Sequence, residues 1–200
     1  ITVNPLPSTT ASNNGPVCIG TRLTLNGGPS GLQYSYSWTG PAGFVSTQQN
    51  PVVSNNATLD MAGTYTLTVT NSLTTCRSSA STDVVVNPLP VATASSNSPV
   101  CIGSPLILAG GPAGMNTYNW TGPNGFSSNQ QNPIVSNSAT IAMAGTYTLT
   151  VTNSNGCLGM ATTSVTVNSL PVATASNNGP ICAGTQLTLT GGPAGMISYS

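Results

Sequence analysis

The chain repeats itself, and that limits its fold more than any other feature. Asn4-Pro5-Leu6-Pro7 returns as Asn87-Pro88-Leu89-Pro90 and again as Asn168-Ser169-Leu170-Pro171, at spacings of 83 and 81 residues. Gly15-Pro16-Val17-Cys18 returns in register as Ser98-Pro99-Val100-Cys101 and Gly179-Pro180-Ile181-Cys182. Trp38-Thr39-Gly40-Pro41-Ala42-Gly43-Phe44 returns as Trp120-Thr121-Gly122-Pro123-Asn124-Gly125-Phe126, and Met61 to Asn71 recurs letter for letter from Met143 to Asn153. Several blocks keeping one period mark a single folding unit used more than once. The register assigns residues 1–6 to the tail and linker of a preceding repeat, 7–89 to repeat 1, 90–170 to repeat 2 and 171–200 to the N-terminal part of repeat 3. The expectation is an excerpt of a longer array, with no signal peptide, cap or sorting segment in view.

Within a repeat, apolar and polar residues alternate with period two, the mark of a strand with one buried face. Across residues 64–70, Tyr65, Leu67 and Val69 fall on one side and four threonines on the other. Leu23 and Leu25, then Tyr34, Tyr36 and Trp38, then Val84 and Val86 keep the pattern. Gly27-Gly28-Pro29, Gly40-Pro41-Ala42-Gly43 and Asn71-Ser72-Leu73 supply turns between them. About seven short strands fit into such a unit, the size of an immunoglobulin-like sandwich. The expected fold class is therefore all-β, as tandem immunoglobulin-like β-sandwich repeats of 81–83 residues.

Composition excludes most chemistry from such an array. Arg22, Asp60, Arg77 and Asp83 are the only fully charged side chains among 200 residues, and Lys, Glu and His are absent. Acid–base catalysis at neutral pH needs a histidine, a tuned carboxylate or a lysine, and no nucleophile here has an activating base, so no enzyme is expected. Metal cages need histidines or clustered carboxylates, so neither a metal nor another cofactor is expected. Two arginines cannot supply the phosphate neutralisation on which nucleic-acid binding depends. No apolar run approaches the roughly 18–20 residues of a spanning helix, so no transmembrane segment is expected. In place of charge stand 55 serines and threonines and 21 asparagines, beside 22 glycines and 16 prolines. Threonine, valine and tyrosine suit strands, while glycine, proline and asparagine suit turns.

Ala62-Gly63-Thr64-Tyr65-Thr66-Leu67 and Ala144-Gly145-Thr146-Tyr147-Thr148-Leu149 resemble the tyrosine corner that opens strand F of immunoglobulin domains. Leu67 and Leu149 stand where antibody-type domains carry a core cysteine, and Trp38 and Trp120 resemble the core tryptophan of strand C. Taken together, the succession from Pro16-Val17-Cys18 through Leu23-Thr24-Leu25, Tyr36-Ser37-Trp38 and the Tyr65 block, ending on Asn155-Gly156-Cys157 in the second unit, is similar to the immunoglobulin-like and PKD-like repeats of giant surface proteins of gliding bacteria. The resemblance covers nearly the whole chain. It implies an extracellular, cell-surface protein, secreted by the type IX route, with an adhesive or filament-forming role. It also implies Trp38, Tyr65, Trp120 and Tyr147 as structural core.

Five cysteines, the disulfide candidates, occupy two repeat positions. Cys18, Cys101 and Cys182 stand ahead of the Leu23 strand and its equivalents, and Cys76 and Cys157 follow the Tyr65 and Tyr147 strands. Three arrangements are open, because connectivity does not follow from sequence. A simple count favours bonds within a repeat, Cys18 to Cys76 and Cys101 to Cys157. Geometry objects: in an immunoglobulin topology the two positions lie at opposite poles, about 20 Å apart for strands of five or six residues, against a Cα limit near ~7 Å. In a head-to-tail array a staggered bond from Cys18 to Cys157 meets that limit better. Free or interchain thiols are the third arrangement.

The remaining motifs have plain readings. The stretch from Gly27 to Trp38 is one residue longer than that from Gly110 to Trp120, and Tyr65 to Cys76 is one longer than Tyr147 to Cys157. Both additions fall in turns at one end of the sandwich, where adjustment of a repeat-to-repeat contact is favoured over a variable binding tip. Trp38, Trp120, Tyr36 and Tyr118 form either a sugar-stacking platform or, the favoured reading, a core face. Asp60 and Asp83 have Ala142 and Ser164 at the equivalent positions, which argues against a calcium site. Asn56-Ala57-Thr58 and Asn119-Trp120-Thr121 match the N-glycosylation acceptor pattern. The function expected is a stiff structural array that self-associates into a multi-chain filament. The competing expectation is an adhesin module that binds a glycan or a cell-surface receptor through its loops.

Overall fold

The computed structural model describes residues 3–198. Its regular elements are β-strands and single turns of 3-10 helix, and among the described residues no helix is long and apolar enough to cross a membrane. The chain divides into two compact units. One comprises the described part of Ile1–Thr93 with Gly111–Tyr118 and Thr150–Ala161, and the other comprises Ala94–Gly110, Asn119–Leu149 and the described part of Thr162–Ser200.

The first unit contains β1 (Thr10–Asn13), β2 (Val17–Cys18), β3 (Leu23–Gly28), β4 (Tyr34–Thr39), β5 (Val45–Ser46), β6 (Val52–Ser54), β7 (Gly63–Asn71), β8 (Arg77–Val84) and β9 (Val86–Asn87). They form a three-stranded sheet in the order β1-β3-β6, a four-stranded sheet in the order β5-β4-β7-β8, and a parallel pair of β2 with β9. The sandwich follows from the alternation. In β7, Tyr65, Leu67 and Val69 are buried while Thr64, Thr66, Thr68 and Thr70 face outward, and in β3 Leu23 and Leu25 are buried between polar neighbours. The buried side chains meet Trp38, Val17, Ala57, Val84 and Val86 in one core. The outer face ties itself with hydroxyls: the Thr64 hydroxyl donates to Asp83 Oδ1 at 2.6 Å, and the Thr68 and Ser79 hydroxyls are 3.0 Å apart. Asn13 joins β1 to β8, its Nδ2 donating to the Thr82 hydroxyl at 2.7 Å.

Repeat 2 has the same sequence of elements: β10 (Thr93–Ser96), β11 (Val100–Cys101), β12 (Leu106–Gly111), β13 (Thr117–Thr121), β14 (Ser127–Ser128), β15 (Ile134–Ser136), β16 (Gly145–Thr152), β17 (Leu158–Val165) and β18 (Val167–Asn168). Their sheet orders are β10-β12-β15 and β14-β13-β16-β17, with β11 parallel to β18. β19 (Thr174–Asn177) pairs with β20 (Leu189–Gly192), Thr174 opposite Gly192, as Thr10 stands opposite Gly28 in β1 and β3.

The tyrosine corners are formed. The Tyr65 hydroxyl donates to Met61 O at 2.9 Å and the Tyr147 hydroxyl to Met143 O at 2.9 Å. Phe44 meets Tyr65 edge-on with centroids 5.5 Å apart, and Phe126 meets Tyr147 likewise at 5.5 Å. A Cβ at Gly40 or Gly122 would collide with the tyrosine ring, so glycine is what lets the turn after each tryptophan strand close over it. Burial pushes the Tyr65 phenol above 10.0, with the Asp60 carboxylate adding to the effect, and burial alone pushes up Tyr147. A raised folded-state pKa means that the native protein holds the proton more tightly than the unfolded chain does. Stability from these groups is therefore whole below a pH of about 10, the unfolded value, and is lost as pH rises through the folded values. Thermal melting points are expected to fall above a pH of about 10, and melts that stay level through that range would contradict it.

Candidate functional site

The cysteines are placed by strand ends. Parallel pairing of β2 with β9 sets Cys18 opposite Asn87, the first residue of the Asn87-Pro88-Leu89-Pro90 linker. The Ile19 N–H donates to Asn87 O at 3.0 Å, and the Thr21 hydroxyl donates to Cys18 O at 2.8 Å. Cys157 follows the turn after β16, which Asn153 organises. Its Oδ1 accepts from the N–H of Asn155 and of Cys157, each at 3.0 Å, and its Nδ2 donates to Pro88 O at 3.3 Å. At Gly159 a Cβ would collide with the Pro90 carbonyl oxygen, so the bare backbone lies directly against the linker.

Cys18 and Cys157 are bonded, with Cα atoms 5.7 Å apart and 139 residues between them in sequence, both within the first compact unit. This is the staggered arrangement, from the cysteine ahead of the Leu23 strand to the one that follows the Tyr147 strand. The within-repeat bonds that a simple count favours are not made: Cys76 is a half-buried thiol, and Cys101 and Cys182 are exposed thiols. The register gives the reason. Val86, beside Val17, follows the Val84 end of β8, whereas Cys76 precedes its Arg77 end. Seven residue steps at about 3.3 Å separate those ends by about 23 Å, several times the reach of a disulfide.

The longer turn of repeat 1 carries a cost. Gly156 takes a φ of 78° in the short turn of repeat 2, but in repeat 1 the left-handed position falls on Thr75 at 58°. A β-branched residue is strained there. Thr75→Gly is expected to stabilise the chain by about 0.5–1 kcal/mol, read as a higher urea midpoint, and a lower midpoint would show that the Thr75 hydroxyl bond to Thr74 O at 2.7 Å outweighs the strain. The two turns that differ in length do share an end, since the Ser72 N–H donates to Gln33 O at 2.7 Å.

Trp38 and Trp120 have no exposed surface, so neither presents a face to a sugar. Tyr36 and Tyr118 are half-buried, with hydroxyls donating to Pro29 O and Pro112 O at 2.8 Å. Asp60 and Asp83 are exposed, and among the described residues no group of three or more His, Cys, Asp or Glu side chains is placed to hold a metal ion. Asn56 and Asn119 are exposed.

Sequence reasoning missed the polar support of the core. Trp38 Nε1 donates to Gln49 O at 3.2 Å, Gln49 Nε2 donates to Gly27 O at 2.7 Å, and the Gly27 N–H donates to Asn50 Oδ1 at 3.0 Å. Trp120, Gln131, Gly110 and Asn132 repeat it at 3.1, 2.7 and 3.1 Å. The signal was present as Gln48-Gln49-Asn50-Pro51 and Gln130-Gln131-Asn132-Pro133, a block repeated between tracts that differ.

The immunoglobulin domain family model matches residues 5–86. Solved structures similar to the chain include one of the mouse coronavirus receptor-binding domain complexed with its murine receptor, at 12% identity over 80% of this chain and 100% of that one, with a TM-score of 0.43. The three N-terminal domains of the highly immunogenic outer capsid protein of bacteriophage RB49 are 16% identical over 94% of this chain and 69% of that one, with a TM-score of 0.41. The amphioxus IgVJ-C2 molecule is 16% identical over 74% and 97%, with a TM-score of 0.34. No curated protein sequence matches the chain.

Proposed function

We propose that this all-β, immunoglobulin-like chain is the structural repeat region of an extracellular bacterial surface filament or appendage. The repeats in this reading are residues 7–89 and 90–170, flanked by parts of a preceding and a following one. The resemblance to surface proteins of gliding bacteria supports export by the type IX route and a part in attachment, motility or contact with prey or other cells. The observation that carries the reading is the Cys18–Cys157 bond. Sandwiches joined only by short linkers bend at each linker. Proline at positions 88 and 90 stiffens the connection by fixing φ, and a covalent bond across it removes further freedom.

The outer faces suit lateral packing. Threonine, serine and asparagine cover them, and four charges in 200 residues leave no like-charge repulsion to hold neighbouring chains apart. Association is therefore expected to depend little on salt. Electron microscopy of the purified chain should show regular filaments at low and at high ionic strength. The competing reading, an adhesin module, draws on Leu32, fully exposed in the turn between β3 and β4. Monomers that bind members of a glycan or receptor panel would replace the structural reading with that one.

A further inference from the structure

The free cysteines stand at the same two stations as the bonded pair. Cys101 is placed as Cys18 is: β11 pairs in parallel with β18, Cys101 lies opposite Asn168, and the Ile102 N–H donates to Asn168 O at 2.9 Å. Asn168 opens the next linker, as Asn87 opens the one beside Cys18. Cys76 lies beside the linker ahead of its own repeat, its Sγ 3.9 Å from Asn4 O and 3.7 Å from Thr74 O of its own turn, as the Cys157 turn faces Pro88 and Pro90. The linker at residues 87–90 is thus met by one cysteine class from the repeat it leaves and by the other class from the repeat that follows. At residues 87–90 both are present and bonded. At residues 4–7 the second class is present as free Cys76, and at residues 168–171 the first class is present as free Cys101.

We propose that Cys76 and Cys101 are open halves of a directional disulfide ladder, each bonding a cysteine of the opposite class on another copy of this repeat. The inference rests on the tandem-array reading and adds its polarity. Each copy offers one station of each class, so one bond per pair of copies makes a heterologous contact that extends a chain, whereas two reciprocal bonds between the same two copies would close a dimer. The bond forms by exchange with a small disulfide such as oxidised glutathione. The Cys76 thiolate attacks it, giving a mixed disulfide and one glutathione thiolate. The Cys101 thiolate of a second copy then attacks the Cys76 sulfur and releases the second glutathione. Two protein thiols are oxidised, one glutathione disulfide is reduced to two thiols, and the two protons pass to glutathione.

The test uses the 200-residue chain carrying Cys182→Ser, with isotope-labelled and unlabelled copies mixed, oxidised by oxidised glutathione and mapped without reduction. Interchain Cys76–Cys101 peptides are expected to exceed the two like pairs combined by about tenfold, where random exchange between two accessible thiols gives parity. Cys76→Ser and Cys101→Ser should each abolish chain extension while leaving Cys18–Cys157 in place. Parity, an excess of like pairs, thiols that stay capped by glutathione, or unlike pairs confined to closed dimers on a non-reducing gel overturns the ladder and leaves the array reading standing. Recovery of Cys18–Cys76 in place of Cys18–Cys157 removes the staggered bond, and with it the stiffened-array reading that the bond carries.

Discussion

Trp38→Ala is expected to cost repeat 1 about 3–5 kcal/mol, a large part of the roughly 5–15 kcal/mol that holds a domain folded. Its melting point should fall by more than about 10 °C. Trp38 is completely buried and lies opposite Leu67 in the β4–β7 register. Its ring fills space that a glycine keeps open: a Cβ at Gly27 would stand 3.2 Å from Trp38 Cζ2 and 2.9 Å from Gln49 O. Truncation to alanine leaves a cavity there and removes the donor from Gln49 O, so packing and hydrogen bonding are lost together. Trp38→Phe keeps most of the ring volume and should lose less. Near-ultraviolet circular dichroism followed through a thermal melt reads both, and an alanine variant that melts with the parent would return Trp38 to the surface-platform reading.

Cys157→Ser is expected to cost about 2–4 kcal/mol. The bond closes a loop between residues 139 apart, so its loss frees a large part of the unfolded chain. The site also matters, because Cys157 is 1% exposed and the substitution leaves a hydroxyl in its place among the Asn153 turn and the linker. Dithiothreitol should lower the melting point of the parent toward that of the variant and leave the variant unchanged. Cys76→Ser, which removes a thiol that bonds no other sulfur among the described residues, should melt with the parent. A parent insensitive to reductant would show that the bond contributes nothing to stability.

The two expectations differ in how far each was legible. Alternation at Tyr65, Leu67 and Val69 states which face of β7 is apolar, and apolar faces are buried because water expels them. The all-β class followed from such short-range patterns, as did the turns at Gly40 and Gly122. The support beneath the tryptophans was not legible in the same way. Gln49 reaches Gly27 across 22 residues of sequence, and a polar side chain in a turn gives no sign of which carbonyl it will find.

The cysteines mark the limit most sharply. Sequence alone determined that two stations exist in repeats 1 and 2 and that they fall at opposite ends of a strand pair, since strand length is counted in residues and each residue advances about 3.3 Å. It left Cys18 with three fates. Only the tertiary structure decided among them, because bonding depends on whether two Cα atoms come within disulfide reach. That distance was set by the parallel pairing of β2 with β9 and by the Asn153 turn on the Pro88 linker, contacts between segments far apart in the chain.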